Sequence, residues 1–328
     1  MGYREEVLKA RRDSLLLIQK SEREIIEIYN DAARDIKRKI RNTKDGTATR
    51  TYLEELDKAI DKYRKDLYEG LSKSINKNHE KMKDIIIDGQ VSFWDDVLKG
   101  FDKGIALNIK NKFFNVADRA LGAILSGAIY GDNKSLDKRL WKLVDDNIKS
   151  IKKLIQINIV EGANARTLAR QLDKFIDDKN ILKSKRQVIK VYDPKTKKYK
   201  LKLQPLPDRM PTSISYQARR LARTSLTHVA HSITIESAKE NPFCKGVKWN
   251  LSAAHGSRMG KKTCECEGFA KEDHFGLGPG VYKPGRTPLS HPNCLCYLTE
   301  LVDVKEAREE LKRWLQGEQN ERLDKLIA

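Results

Sequence analysis

No stretch of this chain is long and apolar enough to span a bilayer. The longest apolar run, Leu121 to Tyr130, is about half of what a spanning helix needs. The first residues, Met1-Gly2-Tyr3-Arg4-Glu5-Glu6, lead straight into charged sequence with no apolar core of an export signal. Position 6 is Glu, where N-myristoylation would want Ser or Thr. The cysteines are few, five in 328 residues, and four of them fall between 264 and 296, so they do not form a spread disulfide framework. Apolar residues make up 39% of the chain, below the ~45–50% usual for globular proteins. There is no His-Glu-x-x-His, no phosphate-binding loop motif, no Gly-x-Ser-x-Gly and no zinc-deaminase pattern. These absences argue against a membrane protein, a secreted disulfide scaffold and the commonest motif-bearing enzymes.

Charge is what the chain has in excess. Sixty-five Lys and Arg against 46 Asp and Glu give a formal +19. An excess of this size favours a polyanionic partner, nucleic acid first, with an acidic membrane or protein surface as the other choices. The plain alternative is a helical protein with lysine-rich solvent faces.

The expected fold is mainly α: a long N-terminal helical hairpin or bundle, then an α+β module carrying a basic β-hairpin and a Cys/His cluster. Leu15, Ile18, Ile25, Tyr29, Ala32 and Ile36 recur at helical steps of three and four, interrupted at Glu22. After a break at Asn42–Gly46, Thr51 with Glu54 makes a capping box. Leu53, Leu56, Ile60, Tyr63, Leu67 and Leu71 line the next helix. Residues 1–82 thus read as a helical arm, for docking or self-association, or as an ordinary bundle. From 83 to 182 the helical pattern continues, with an aromatic face at Phe93, Trp94, Val97, Leu98 and Phe101. A long face at Leu136, Leu140, Trp141, Val144, Ile148, Ile151, Leu154 and Ile155 follows. Gly162 and Asn164 punctuate before a helix through Leu168, Leu172 and Ile176.

Residues 183–212 read as a basic β-hairpin insertion. Val188–Tyr192 and Tyr199–Leu203 alternate apolar and basic side chains around Asp193–Lys198. Ten Lys and Arg against two Asp give this stretch a net +8. Lys183, Lys185, Arg186, Lys190, Lys195, Lys197, Lys198, Lys200 and Lys202 are the candidate phosphate contacts, on an outer face expected to be almost all lysine. The plain alternative is an edge hairpin that lysine guards against aggregation. Pro205, Pro207 and Pro211 read as a stiff return to a helix over 213–240. Residues 213–301 form the C-terminal module and 302–328 a closing helix, read as one amphipathic stretch from Lys305 to Ile327.

The module holds Cys264-Glu265-Cys266 and His291-Pro292-Asn293-Cys294-Leu295-Cys296. Thiolate and imidazole are zinc's preferred ligands, and a structural site takes four. Cys264, Cys266, His291, Cys294 and Cys296 are the candidates, with His255 and His274 behind them. A metal clamp would explain how the Gly-rich stretch Gly276–Gly280, with little to bury, stays folded. Reduced thiols in a packed core and an oxidised pair are the alternatives. Glu265, Glu267 and Glu272 lie close in sequence, but without an activating constellation the site reads as structural zinc and the chain as no enzyme. His228 and His231, one helical turn apart, read as ordinary helix residues.

Several of these pieces occur in a particular order. Trp141 is followed by Gly162-Ala-Asn-Ala-Arg-Thr-Leu-Ala-Arg170, then Ala218-Arg-Arg-Leu-Ala-Arg-Thr224, Val247-Lys-Trp249 and Pro288-Leu-Ser-His-Pro-Asn-Cys-Leu-Cys296. From about 135 to 301 the chain resembles the phage Mu F-like minor head proteins, also called phage head morphogenesis proteins. It departs from that pattern at Ser225, where the family has Glu, at 253–257, where an Asp is missing, and at Leu295, where the family has Arg. The resemblance implies a low-copy virion component inside the capsid beside the portal protein. It also implies binding to double-stranded DNA and a part in head assembly or DNA ejection. Copies could associate through the N-terminal helices, and the host cytoplasm would be the place of assembly. Two rival readings stand beside it: a metal-dependent nuclease or toxin-like enzyme, and a portal-binding assembly factor that does not touch DNA.

Overall fold

A computed structural model describes residues 2–41, 50–160, 167–168, 170–172, 186–193, 198–205, 214–253, 255 and 264–327, with backbone and register only for the two strands between 186 and 205. The fold is mainly helical, with a basic hairpin and a small C-terminal sheet, as expected. The helices are α1 (Tyr3–Ala32), α2 (Arg34–Arg41), α3 (Arg50–Val97), α4 (Lys103–Ser126), α5 (Leu136–Val160), α6 (Ile214–Glu240), α7 (Glu265–Lys271), α8 (Val304–Leu315) and α9 (Glu321–Ile327). Strands β1 (Arg186–Asp193) and β2 (Lys198–Pro205) form the hairpin. Strands β3 (Gly246–Asn250), β4 (Val281–Tyr282) and β5 (Tyr297–Leu301) form an antiparallel sheet in the order β4-β3-β5.

Two compact units emerge, each assembled from separate stretches. One takes residues 1–20, 76–136 and 221–328; the other takes 21–75 and 137–220. Both α1 and α3 contribute to each. Helix α3 runs without a break through residue 82, where the sequence pattern had been divided. The first twenty residues fold with the C-terminal module rather than with a separate arm.

In the second unit, the buried seam along α1 and α2 passes through Ser21, Ile25, Tyr29, Ala32, Ala33, Ile36 and Ile40. The interruption of the seam at Glu22 is filled by Ser21, one residue earlier, which keeps the three-four step. Helix α3 answers with Leu56, Ile60, Tyr63, Leu67 and Leu71, all buried. Helix α5 joins through Asn147 Nδ2, which donates to the Tyr29 hydroxyl at 2.5 Å in the interior. On the outside, Arg64 pairs with Asp145 at 2.7 Å and Lys152 with Asp57 at 3.4 Å. Trp141 lies outside the buried face of α5. It is 38% exposed, stacks on Tyr68 at 3.9 Å and carries Arg64 over its ring at 5.6 Å. A half-exposed indole covered by a ring and a guanidinium still hides its faces from water. The hairpin register opposes Lys198, Lys200 and Lys202 to Asp193, Val191 and Ile189, while Lys190 opposes Leu201 and Arg186 opposes Pro205. Neither alternate set is all lysine; the densest basic row belongs to β2 alone. Lys183, Lys185, Lys195, Lys197, Gly162, Asn164, Ile176, Pro207 and Pro211 lie outside the described residues.

The first unit is built around Trp94. Its ring lies 5.2 Å from Phe93, 5.3 Å from Phe113 and 5.8 Å from Phe243. Leu226, Val229 and Ile233 of α6 belong to the same core, as do Leu311, Leu323 and Leu326. Removing a side chain of this size from such a core costs roughly 3–5 kcal/mol. The apolar run 121–130 is not one helix. Leu121 and Ile124 are buried at the end of α4, and Gly127 closes it with φ 84, where an added Cβ would collide with the Lys134 carbonyl oxygen. The C-terminal tail likewise divides in two. Gly317, at φ 99, ends α8, and Asn320 accepts from the N–H groups of Arg322 and Leu323 to start α9. The Trp314 indole N–H reaches Asp324 at 2.9 Å across that corner.

Candidate metal centre

Helix α6 supplies the floor of the site. From Ser225 to Ser237 it is buried on nearly every side, polar residues included. Those polar side chains hold the His-Pro-Asn-Cys-Leu-Cys loop residue by residue. Arg223 donates to the Asn293 side-chain oxygen at 2.5 Å, and the Asn293 N–H donates to the Thr224 hydroxyl at 2.9 Å. Thr227 donates to the Cys294 carbonyl at 3.1 Å. His228 Nε2 donates to the Ser290 carbonyl at 2.9 Å, which leaves its Nδ1 to accept from the Tyr130 hydroxyl at 3.0 Å. His231 Nε2 donates to the Cys296 carbonyl at 3.0 Å. Burial pulls the His231 pKa down to about 4, so the ring is neutral at pH 7. Asn293 sits at φ 69, a left-handed turn that Asn tolerates better than most residues and that this grip maintains.

The sheet and α7 form the opposite wall. Trp249 of β3 is buried edge-on to His231 at 5.4 Å and to Phe269 of α7 at 5.0 Å. Cys266, the second residue of α7, is fully buried beside Cys294 and Cys296. The Asp273 carboxylate accepts from the N–H groups of Phe275, Leu277 and Gly278, which gives the Gly-rich segment its order.

The donor atoms converge. Cys266 Sγ lies 3.5 Å from Cys294 Sγ, and Cys264 Sγ lies 3.0 Å from His291 Nε2. Cys264, Cys266 and His291 offer donors mutually within 4.8 Å, and so do Cys266, Cys294 and Cys296. All five predicted ligands are thus brought together, in two triads that share Cys266. All five cysteines of the chain are free thiols, so the oxidised-pair alternative is not realised here. A tetrahedral ion with zinc–sulfur bonds of ~2.3 Å sets its sulfur ligands about 3.8 Å apart. The 3.5 Å between Cys266 and Cys294 lies near that edge, and the residues fit a metal ion.

The surroundings suit ligation as well. The Cys296 N–H points at Cys294 Sγ at 3.3 Å. His291 Nδ1 donates to the Pro292 carbonyl at 2.9 Å, which leaves Nε2 with its lone pair toward Cys264. The three buried sulfurs share protons unequally. Hydrogen bonds from Cys266 and Cys294 hold the Cys296 pKa far below the usual thiol value, while Cys266 is pushed well up by Cys294 and Cys296. Three sulfurs this close cannot all be thiolates without a cation among them.

Of the two histidines placed behind the cluster, His255 is buried with Nδ1 3.7 Å from Cys296 Sγ, and its Nε2 lies 3.7 Å from Glu267. His274 is exposed beside Glu272 and Tyr282, away from the sulfurs. Two groups of residues escaped the sequence reading. The first is the row of hydrogen bonds from Arg223 to His231, hinted at only by the Arg-Thr pair and the helical His spacing. The second is Arg11 of α1, whose guanidinium donates to the Leu295 carbonyl and lies 4.5 Å over the Tyr297 ring. Among the described residues no helix is long and apolar enough to cross a membrane.

No family model, curated protein or solved structure matches this chain.

Proposed function

We propose that this chain is a non-enzymatic minor head protein of a tailed phage, portal-associated inside the capsid, that binds double-stranded DNA without sequence preference. One observation carries the reading. Three of the stretches that resemble the phage head morphogenesis proteins, 218–224, 247–249 and 288–296, are far apart in sequence, yet they meet around one centre. Arg223 and Thr224 grip Asn293 of the His-Pro-Asn-Cys-Leu-Cys segment, and Trp249 packs against the helix beneath it. Motifs that share a site in this way are expected of a common structural module. The cysteines and histidines act as a structural zinc clamp that fixes the C-terminal loops on α6. The charge of +19 and the basic row of β2 supply the DNA contact, through phosphates and not bases.

Filter binding of the purified chain to duplex DNA of two unrelated sequences tests this. Equal affinities are expected, falling by orders of magnitude between about 50 and 200 mM salt. Indifference to DNA at the lower salt would overturn the DNA-binding reading, and capture by portal protein without DNA binding would favour the assembly-factor reading. Cleavage of the DNA on adding a divalent metal, lost in Cys294→Ser, would make the chain an enzyme instead.

A further inference from the structure

We propose that the cluster holds two divalent cations bridged by the Cys266 thiolate: an inner, closed one and an outer one open to solvent. This rests on the reading of the cluster as a metal site and goes further, in the number of ions and in the ligands of each.

The geometry separates the donors into two triads. Cys266, Cys294 and Cys296 are all buried, while Cys264 and His291 are only partly so. An ion seated in one triad takes Cys266 and leaves unused the pair that the other triad adds. For the buried triad that unused pair is Cys264 and His291, whose donor atoms already lie 3.0 Å apart with the imidazole lone pair turned inward. A thiol and an imidazole poised like this beside a bridging sulfur form a second set of ligands.

His255 supplies the fourth ligand of the inner ion. Its Nδ1 lies 3.7 Å from Cys296 Sγ, close to a tetrahedral edge of about 3.8 Å. Its far nitrogen, Nε2, faces Glu267 Oε1 at 3.7 Å, the carboxylate–imidazole pairing that commonly orients a ligating histidine. Among the described residues no group accepts a hydrogen bond from that buried nitrogen. The outer ion has three protein ligands, Cys264, Cys266 and His291, and water in its fourth position. Charge balance agrees: four thiolates neutralise two divalent ions, and both histidines bind uncharged.

The number of ions is directly measurable. Protein produced with zinc is assayed for metal per chain by elemental mass spectrometry, alongside a double variant, C264S with H291A. Two ions per chain are expected in the natural sequence and one in the variant. A weak chromophoric chelator should strip one ion from the natural protein rapidly and the second only on unfolding, a readout that stands even where the variant folds poorly. One ion per chain in the natural protein would overturn the two-ion assignment and leave the metal reading intact. No bound metal at all would overturn both. Two ions retained in the double variant would show that Cys264 and His291 ligate neither.

Discussion

The guanidinium of Arg11, on the first helix, donates to the carbonyl of Leu295, the residue that separates Cys294 from Cys296, 284 positions further along the chain. Burial lowers the Arg11 pKa, and the negative character of Tyr297, Cys296 and Cys294 opposes that lowering. The cation therefore stands where the sulfurs concentrate negative charge. Arg11→Met keeps the apolar stem and removes the charge and the donor. It should destabilise the C-terminal unit by roughly 2–3 kcal/mol and weaken metal retention about tenfold. Denaturant melts and competition with a metal-binding dye check both numbers. Unchanged retention would show that Arg11 serves packing alone.

Removing the metal should loosen the loops and spare the helices. Trp249 shares its core with Cys266, Cys294 and Cys296, whereas Trp94 sits in the separate helical core of the same unit. A strong chelator should change the near-ultraviolet circular dichroism and quench the Trp249 component of fluorescence, leaving most of the far-ultraviolet signal in place. The loss of stability would be about 4 kcal/mol where free ion had exceeded its Kd a thousandfold. A near-ultraviolet spectrum indifferent to chelation would sink the clamp.

Local chemistry was legible in the sequence; long-range assembly was not. The hairpin, β3, β5 and the five residues of the Cys/His cluster came from alternation and spacing, which are properties of neighbours. The seam through Ser21 was hidden because serine carries no hydrophobic signal, although its small side chain is fully buried between helices. Trp141 belongs to the apolar face of α5 by its period, but hydropathy does not distinguish an indole inside from one capped by Tyr68 on the surface. The break in the tail was overlooked at Gly317-Glu-Gln-Asn320, where glycine and an Asn cap outweigh the apolar period that continues on both sides. Nothing near Arg11 marks it as a partner of residue 295; only the fold brings the two together.

Glu300 makes stability depend on pH in an unusual direction. It is 6% exposed on β5, accepts from Asn241 Nδ2 at 3.0 Å, and burial raises its pKa from 4.5 to about 8. Between those values the native chain keeps a proton that the unfolded chain has released. The group therefore lowers stability progressively as pH rises from about 4.5 to 8, and no further above that. Glu300→Gln keeps the acceptor for Asn241 without the charge. It should match the natural protein near pH 4 and exceed it at pH 8 by on the order of a few kcal/mol. Equal stabilities at both pH values in urea titrations would mean that Glu300 is solvated in the native state.

The buried bond between Tyr29 and Asn147 ties α1 to α5 in the second unit. Tyr29→Phe removes the hydroxyl that receives the Asn147 amide and leaves that donor without its acceptor in the interior. The expected cost is about 1–2 kcal/mol, larger than that of the double change with Asn147→Ala relative to Asn147→Ala alone. Additive losses in the double-mutant cycle would show that the two groups do not interact.

The hairpin register singles out one row of lysines for the DNA proposal. Lys198, Lys200 and Lys202 occupy alternate positions of β2, and β1 sets an aspartate and two β-branched residues opposite them. If this row meets the phosphates, replacing all three with serine removes up to three charge contacts. The slope of log affinity against log salt should become shallower by up to about 0.9 for each. Arg186 and Lys190 fall in the other alternate set, so their replacement by serine should leave most of the slope in place. Equal flattening by both sets would mean that DNA contacts both faces of the hairpin. A slope unchanged by either would move the contact to the basic helices.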